Sequence, residues 1–275
     1  TLITDSSVRY PLVTLCVLIT LFVLGMYALV PLGSLFKIWG KDYHLSLRWY
    51  HYIFKNNGYR VFTDSILLSL IASPITALLS MIIAYLVVKR KFAGKGLMEF
   101  VSMLAMAVPG TVLGVGFIRG FSSGLFHTGF MSGLYGTGAI LILVFIVRSL
   151  PIGTRSGIAA LRQIDKSIEE AAYDMGADSF RVFTTVTLPL IKESFISGLV
   201  TTFVRSITAI SAIILLVTPK YLLITVRINE FAEKGSYGIA CAYATVLIII
   251  TYAAICIMNL ILDNFGKSKS TVIEE

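Results

Sequence analysis

The residues of this chain that are best placed to do chemistry fall into three settings. Residues 166–190 read KSIEEAAYDMGADSFRVFTTVTLPL and hold Glu170, Ala171, Ala172, Gly176, Val186, Leu188 and Pro189. Among those seven, the single carboxylate stands with small and apolar residues and a glycine stop, which offers protein recognition rather than a reaction. Arg205 stands alone, about ten residues into an apolar run, where a charge is expensive and so is either paired or turned to a cavity. It could face a path and hold an anionic or chelated substrate. The structural reading is favoured, because one cation without a partner in sequence is a weak substrate site: it would snorkel or pair with backbone carbonyls, or with Asp64 if the fold brought the two together. His44, His51 and His127 lie in polar loops among tyrosines and carry donors that suit a hard metal cation. They lack compact ligand spacing, so no metal site is expected. No phosphate-binding Walker motif and no HExxH pattern occurs, and Gly110, Gly114 and Gly116 form no phosphate cradle because they lie in an apolar run.

These residues sit on unusually apolar elements. Of the 275 residues, 56% are hydrophobic and only 14% are charged, and the mean hydropathy is +0.85. A soluble domain carries more charge and interleaves it. Here the apolar residues form long blocks, as a bilayer requires. The net charge of +8 comes from short loops between blocks, which suits anionic headgroups rather than nucleic acid. Cys16, Cys241 and Cys256 all fall inside apolar blocks and read as small buried hydrophobes. The opening at Thr1 is expected to be a processed or truncated start, or the start of one half of a longer fused chain.

Six blocks predict about six transmembrane helices, near residues 11–36, 61–88, 97–121, 133–150, 195–217 and 238–262. Pro74 should bend the second, and Pro109 with Gly110 interrupts the third, where glycines let another helix come close. An aromatic stretch over 37–60 is long enough for a short interfacial helix. The basic turn Lys89, Arg90, Lys91, Lys95 marks a cytoplasmic side and places both termini there. The expected organisation is a cytoplasmic segment 1–10, one transmembrane domain 11–265 with a cytoplasmic region 153–193, and a cytoplasmic tail 266–275.

Within that region, Ser167 precedes Glu170 by three residues, a capping-box spacing that predicts a helix start. Ile168, Ala171, Ala172 and Met175 give the helix an apolar side, and Gly176 is placed to stop it in the left-handed conformation. Asp178 or Ser179 can cap a second short helix that closes at Pro189. Two such helices cannot bury their apolar faces alone and must pack on the membrane domain, on another protein, or on both.

Glu170-Ala171-Ala172, Gly176, Val186 and Leu188-Pro189 resemble the EAA signature of binding-protein-dependent ABC import permeases, with Val186 in place of isoleucine and every spacing kept. Residues 107–114, AVPGTVLG, are similar to iron(III) permeases of this type. So are Gln163-Ile164-Asp165 and the runs around Arg205, and the chain resembles the second half of their fused form. The resemblance implies a type I importer transmembrane domain, all-α, in a bacterial cytoplasmic membrane. It implies no catalysis in this chain, with ATP and Mg2+ held by two cytoplasmic ATPase subunits that dock on the coupling loop. Further expected partners are a second homologous permease unit, as a homodimer or fused half, and a periplasmic or lipid-anchored substrate-binding protein. The implied cargo is iron(III), with sugar phosphate, phosphonate or polyamine as alternatives within the class; a stand-alone secondary transporter is the reading from another class.

Overall fold

In hydrocarbon a backbone amide finds partners only within the protein, so long apolar runs fold as helices. The computed structural model describes residues 6–55, 58–122 and 133–270. In chain order these form α1 (Ser6–Leu35), β1 (Phe36–Ile38), β2 (Asp42–Leu45), α2 (Arg48–Lys55), α3 (Gly58–Lys89) and α4 (Lys95–Ala107). Then come α5 (Gly110–Ser122), α6 (Gly138–Arg162), α7 (Lys166–Asp174), α8 (Ser179–Val182) and a π-helical turn (Phe183–Thr187). The chain continues through α9 (Leu188–Ile207), α10 (Ile224–Glu233) and α11 (Tyr237–Ser270). The described residues fall into two compact units, 1–59 with 227–249 and 60–226 with 250–275.

All six expected apolar blocks contain helix, but not in equal lengths. Among the described residues, four helices are long and apolar enough to cross a membrane: Val8–Leu35, Gly58–Lys89, Gly138–Arg162 and Tyr237–Leu260. The third block is a bent pair, α4 and α5 meeting at 109° across Val108 and Pro109. The fifth gives a shorter apolar helix, Ser194–Ile207.

In three places the boundaries depart from those expected of the sequence. Helix α6 does not end near Pro151 but runs through it to Arg162. Pro151 is buried, and Ser80 Oγ of α3 donates to the neighbouring Leu150 carbonyl at 3.3 Å, so packing against α3 carries the helix through a residue that gives no N–H to its ladder. The fifth block does not stay helical to residue 217, because residues 208–217 fold as turns. The Thr208 hydroxyl takes the Val204 carbonyl at 2.7 Å, and Thr225 Oγ1 donates to the Ala209 carbonyl at 2.8 Å. Hydroxyls of this kind compete with helical hydrogen bonds and end the helix. Finally, the aromatic stretch after α1 holds a β-hairpin before its short helix. Trp49 of α2 donates its indole N–H to the Phe36 carbonyl at 2.8 Å, and Ser34 and Tyr50 share a hydrogen bond of 2.6 Å.

In the second unit, one core gathers Leu68, Ile140, Val144, Ala212 and Ile213, and another gathers Met81, Ala84, Val87, Ile158, Leu161 and Ile191. Helices α3 and α6 approach through small residues at matching four-residue spacing, Ser80 and Ala84 against Gly153 and Gly157. A Cβ at Gly157 would lie 2.8 Å from the Ala84 methyl, and one at Gly153 would run into Ser80. This is the small-residue packing that holds helices where lipid competes for every apolar surface. Gly157→Ala is expected to cost about 1–3 kcal/mol by overpacking. The fall in melting temperature in mild detergent reads this, and Ala84→Gly in the same chain should recover most of it. A Gly157→Ala chain that melts like the parent refutes the close contact.

Candidate functional site: the loop between α6 and α9

Helix α7 opens at Asp165, not at Ser167 as the capping-box spacing suggests. The Asp165 carboxylate accepts the Ser167 amide N–H at 3.0 Å, and Ser167 lies in the first turn. The carboxylate is the stronger cap because its charge also complements the positive end of the helix. The backbone bond from Ser167 and then its side chain hold Asp165 below its ordinary carboxylate value.

Gly176 does stop the helix as expected, with φ of 82°. Gly176 N–H donates to the Tyr173 carbonyl at 2.9 Å and Ala177 N–H to the Ala172 carbonyl at 3.1 Å. That pair of reversed bonds is the Schellman closure, which needs a left-handed residue at this position. Asp178 then caps α8, accepting the Arg181 N–H at 2.8 Å.

Pro189 opens rather than closes a helix. The chain passes from α8 through the π-helical turn directly into α9, with Pro189 in its first turn. Leu188 N–H reaches back to the Phe183 carbonyl. A proline has no N–H to give and its ring crowds the carbonyl four residues before it, so the turn ahead of it widens.

The residue that seats this loop is Glu169, which the sequence pattern does not distinguish from its neighbour Glu170. Lys89 Nζ at the end of α3 donates to Glu169 Oε2 at 2.9 Å, and Thr187 Oγ1 in the π turn donates to Oε1 at 3.0 Å. The paired side chains are only 13% and 15% exposed. Tyr85 of α3 meets Phe183 edge to face at 4.8 Å between ring centroids, and Thr187 and Val182 are buried. One glutamate therefore joins α3, α7 and the turn that leads into α9. Neither Glu in the pair differs by type or spacing, so only the helix phase shows which one faces inward.

The apolar side expected of α7 is divided. Ala172 is 6% exposed and faces in, whereas Ile168 is 46% and Met175 83% exposed, with Ala171 exposed between them. Glu170 is exposed, Val186 and Pro189 are half-buried, and Leu188 is exposed. The EAA residues thus form one helix, its stop and the following turn.

Pro109 and Gly110 lie at the α4–α5 break, as expected. A Cβ at Gly110 would run into Ser211 and the Arg148 guanidinium, and one at Gly114 would lie 2.7 Å from the Ala212 carbonyl. Gly116, by contrast, has open space. So the glycines admit the turn segment 208–217 rather than another helix. Arg148, inside α6, is a cation that hydropathy alone does not single out, because it lies close to the expected end of its span. Arg205 is exposed and lines a cavity of about 350 Å³ with Ser197, Thr201 and Asn259. Asp64 does not reach it: that carboxylate pairs with Arg60 at 3.9 Å and accepts the Leu222 N–H at 3.2 Å. Among the described residues, no ion pair reaches Arg148 or Arg205. His44 is on β2 and His51 on α2; His127 lies outside the described residues. Among the described residues, no three His, Cys, Asp or Glu stand close enough to hold a metal ion.

Apolar helices with one broken pair, and a two-helix loop seated on the end of a span, define the transmembrane fold of a type I ABC importer permease. The chain belongs to the family of binding-protein-dependent transport system inner membrane components, which matches residues 76–270, and is a multi-pass inner-membrane protein. It is 36% identical over 269 residues to the ferric transport system permease protein FbpB of Actinobacillus pleuropneumoniae, covering 96% of this chain and 38% of that one. It therefore spans about two fifths of that relative's length. It is 32% identical over 164 residues to the molybdenum transport system permease protein ModB of Escherichia coli, covering 56% of this chain and 72% of that protein. A chain from a crystal structure of a bacterial alginate ABC transporter in complex with alginate pentasaccharide-bound periplasmic protein shares the fold. The TM-score is 0.72 at 18% identity, covering 94% of this chain and 95% of that one.

The enclosed ion pair and the lowered carboxylate can each be measured. A double-mutant cycle between Lys89→Met and Glu169→Gln should give a coupling of about 1–3 kcal/mol, since a charge-assisted pair this enclosed is worth more than a surface one. Thermal melting of the purified chain measures it, and a coupling near zero refutes the seat. Because Asp165 is held below its ordinary value, its capping contribution is complete above the unfolded value and is lost as pH falls through the folded one. The protection of the amides at the start of α7, taken relative to the intrinsic exchange rate at each pH, should fall in acid below about pH 4 in the parent chain, and Asp165→Asn should remove that dependence.

Proposed function

We propose that this chain is the membrane-spanning subunit of an ATP-driven importer of iron(III), free or chelated. The observation that carries the reading is the seated loop. It holds Ile168, Ala171 and Met175 outward as an apolar edge while Glu169 fixes the opposite side. Such an edge suits a groove on a cytoplasmic ATPase subunit, and Glu170 and Gly176 would shape the helix and stop that enter it. Two ATPase subunits would bind ATP and Mg2+, and this chain would hold neither. A second homologous permease unit would complete the path, and a periplasmic or lipid-anchored binding protein would deliver the cargo. Both termini would then be cytoplasmic.

Support for iron comes from the similarity to the ferric permease; the similarity to the molybdenum permease supports the same class with an oxyanion cargo. Ser197, Thr201 and Arg205 are all exposed along one side of α9, and Thr208 is exposed just beyond its end. A polar stripe with a cation is costly against lipid, so in this reading it lines the path or meets the second permease unit. An oxygen-chelated, anionic form of iron passes Arg205 more readily than the bare trication.

The test is uptake of radiolabelled iron(III) citrate by proteoliposomes holding the whole complex and its binding protein. Uptake should require ATP. Met175→Glu should lower recovery of the ATPase subunit at least about ten-fold, or 1.4 kcal/mol, with the chain's melting temperature unchanged. Uptake without ATPase partners sinks the importer reading, and ATP-driven uptake of molybdate but not iron sinks only the cargo.

A further inference from the structure

The ends of α3 and α6, the α3–α4 turn and α7 enclose a cleft of about 530 Å³. Five cations line it: Lys89, Arg90, Lys91, Lys95 and Arg162. Two carboxylates face it, Glu169 and Glu170, and only Glu169 is taken, by Lys89 at 2.9 Å. Arg90 lies 5.9 Å from the Tyr85 ring centroid. Lys91, Lys95 and Arg162 make no ion pair among the described residues. Five cations against two carboxylates leave the cleft strongly positive, and like charges held this close repel one another unless an anion joins them.

The other wall says which anion. Val88, Leu161 and Ile164 give the cleft an apolar side. Val88 and Leu161 belong to the last turns of α3 and α6, two helices long and apolar enough to cross a membrane. A basic rim with an apolar side at the end of two apolar helices has the composition that suits the headgroup region. There a phosphate and the first carbons of an acyl chain can be met together.

We propose that this cleft binds a phosphate-bearing anion, the headgroup of an anionic phospholipid, with Lys91, Lys95 and Arg162 on the phosphate and Val88 and Ile164 against the glycerol and acyl carbons. Lys89 lines the same cleft while holding Glu169, so a bound lipid stands directly beside the seat of the loop and anchors α7 to the membrane surface. The binding site does not depend on what the importer carries.

The experiment uses the full chain with its co-purifying subunits, exchanged into equal parts of phosphatidylglycerol and phosphatidylcholine and read by native mass spectrometry. The parent should retain phosphatidylglycerol and not phosphatidylcholine. The Lys91→Gln, Lys95→Gln, Arg162→Gln triple variant should retain more than about ten-fold less. Lys91→Arg, Lys95→Arg with Arg162→Lys should retain it, which separates loss of charge from loss of fold. Equal retention of both lipids, or full retention by the neutral variant, overturns the proposal. So does complete displacement of the lipid by millimolar inorganic phosphate, which would make the ligand a free phosphate. Because the readout is lipid retention, it stands or falls apart from iron uptake.

Discussion

In an apolar chain every backbone N–H and C=O that leaves a helix must find another partner inside the protein, and the second unit is organised around that demand. Among the described residues, two of its apolar blocks lose their helix part-way, at Val108 with Pro109 and over residues 208–217. The second interruption supplies its own bonds, with Ile213 N–H donating to the Ile210 carbonyl at 3.0 Å and Val217 N–H to the Ile213 carbonyl at 3.0 Å. Further along, the start of α3 takes up what remains. Arg60 donates to the Lys220 carbonyl at 2.7 Å, Asp64 accepts the Leu222 N–H, and Ser65 Oγ accepts the Ile224 N–H at 2.9 Å. Glycine at 110 and 114 lets α5 close over the turn segment that these bonds hold. Ala212 and Ile213 of that segment can then enter the core with Val144 of α6.

The same economy governs the loop between α6 and α9. Its two short helices are too brief to be stable by propensity, so their order comes from contacts made elsewhere. Asp165 and Asp178 supply the caps, Gly176 the stop, and Glu169 the link to α3. What the seat leaves over is an apolar edge, Ile168 and Met175, that nothing in the described residues covers. In the proposed reading, that edge is where an ATPase subunit would meet the loop.

Much of this is legible in the residues. Six apolar blocks, the break at Pro109 and the stop at Gly176 come from hydropathy and from the effect of proline and glycine on a backbone. The loop's signature is carried by residues whose spacing survives without any knowledge of the fold. Three things are not legible, each because a long-range partner decides them. Pro151 reads as a helix end until Ser80 of α3 is seen beside it. Residues 208–217 are apolar enough to continue a span, and only the hydroxyls of Thr208 and Thr225 show that they turn. Glu169 and Glu170 are equal in type and adjacent, and the choice between them rests on where Lys89 and Thr187 stand.

The placement of stiff and yielding parts bears on how a push on α7 would travel. Helix α6 leads into α7 across Gln163, Ile164 and Asp165 alone, and it is locked to α3 by contacts that leave no room for a methyl group at Gly153 or Gly157. A close-packed pair of this kind moves together or not at all. Glu169 ties α7 to α3 a second time, so the loop grips that pair at the ends of both helices. Helix α9 is reached differently, through the widened turn Phe183–Thr187, whose hydrogen bonds span five residues instead of four. Widened turns are rare within helices and are found mostly at functional sites. A displacement of α7 would therefore carry α3 and α6 as one body and reach α9 through that turn, where Thr187 Oγ1 donates to Glu169 and the two connections meet.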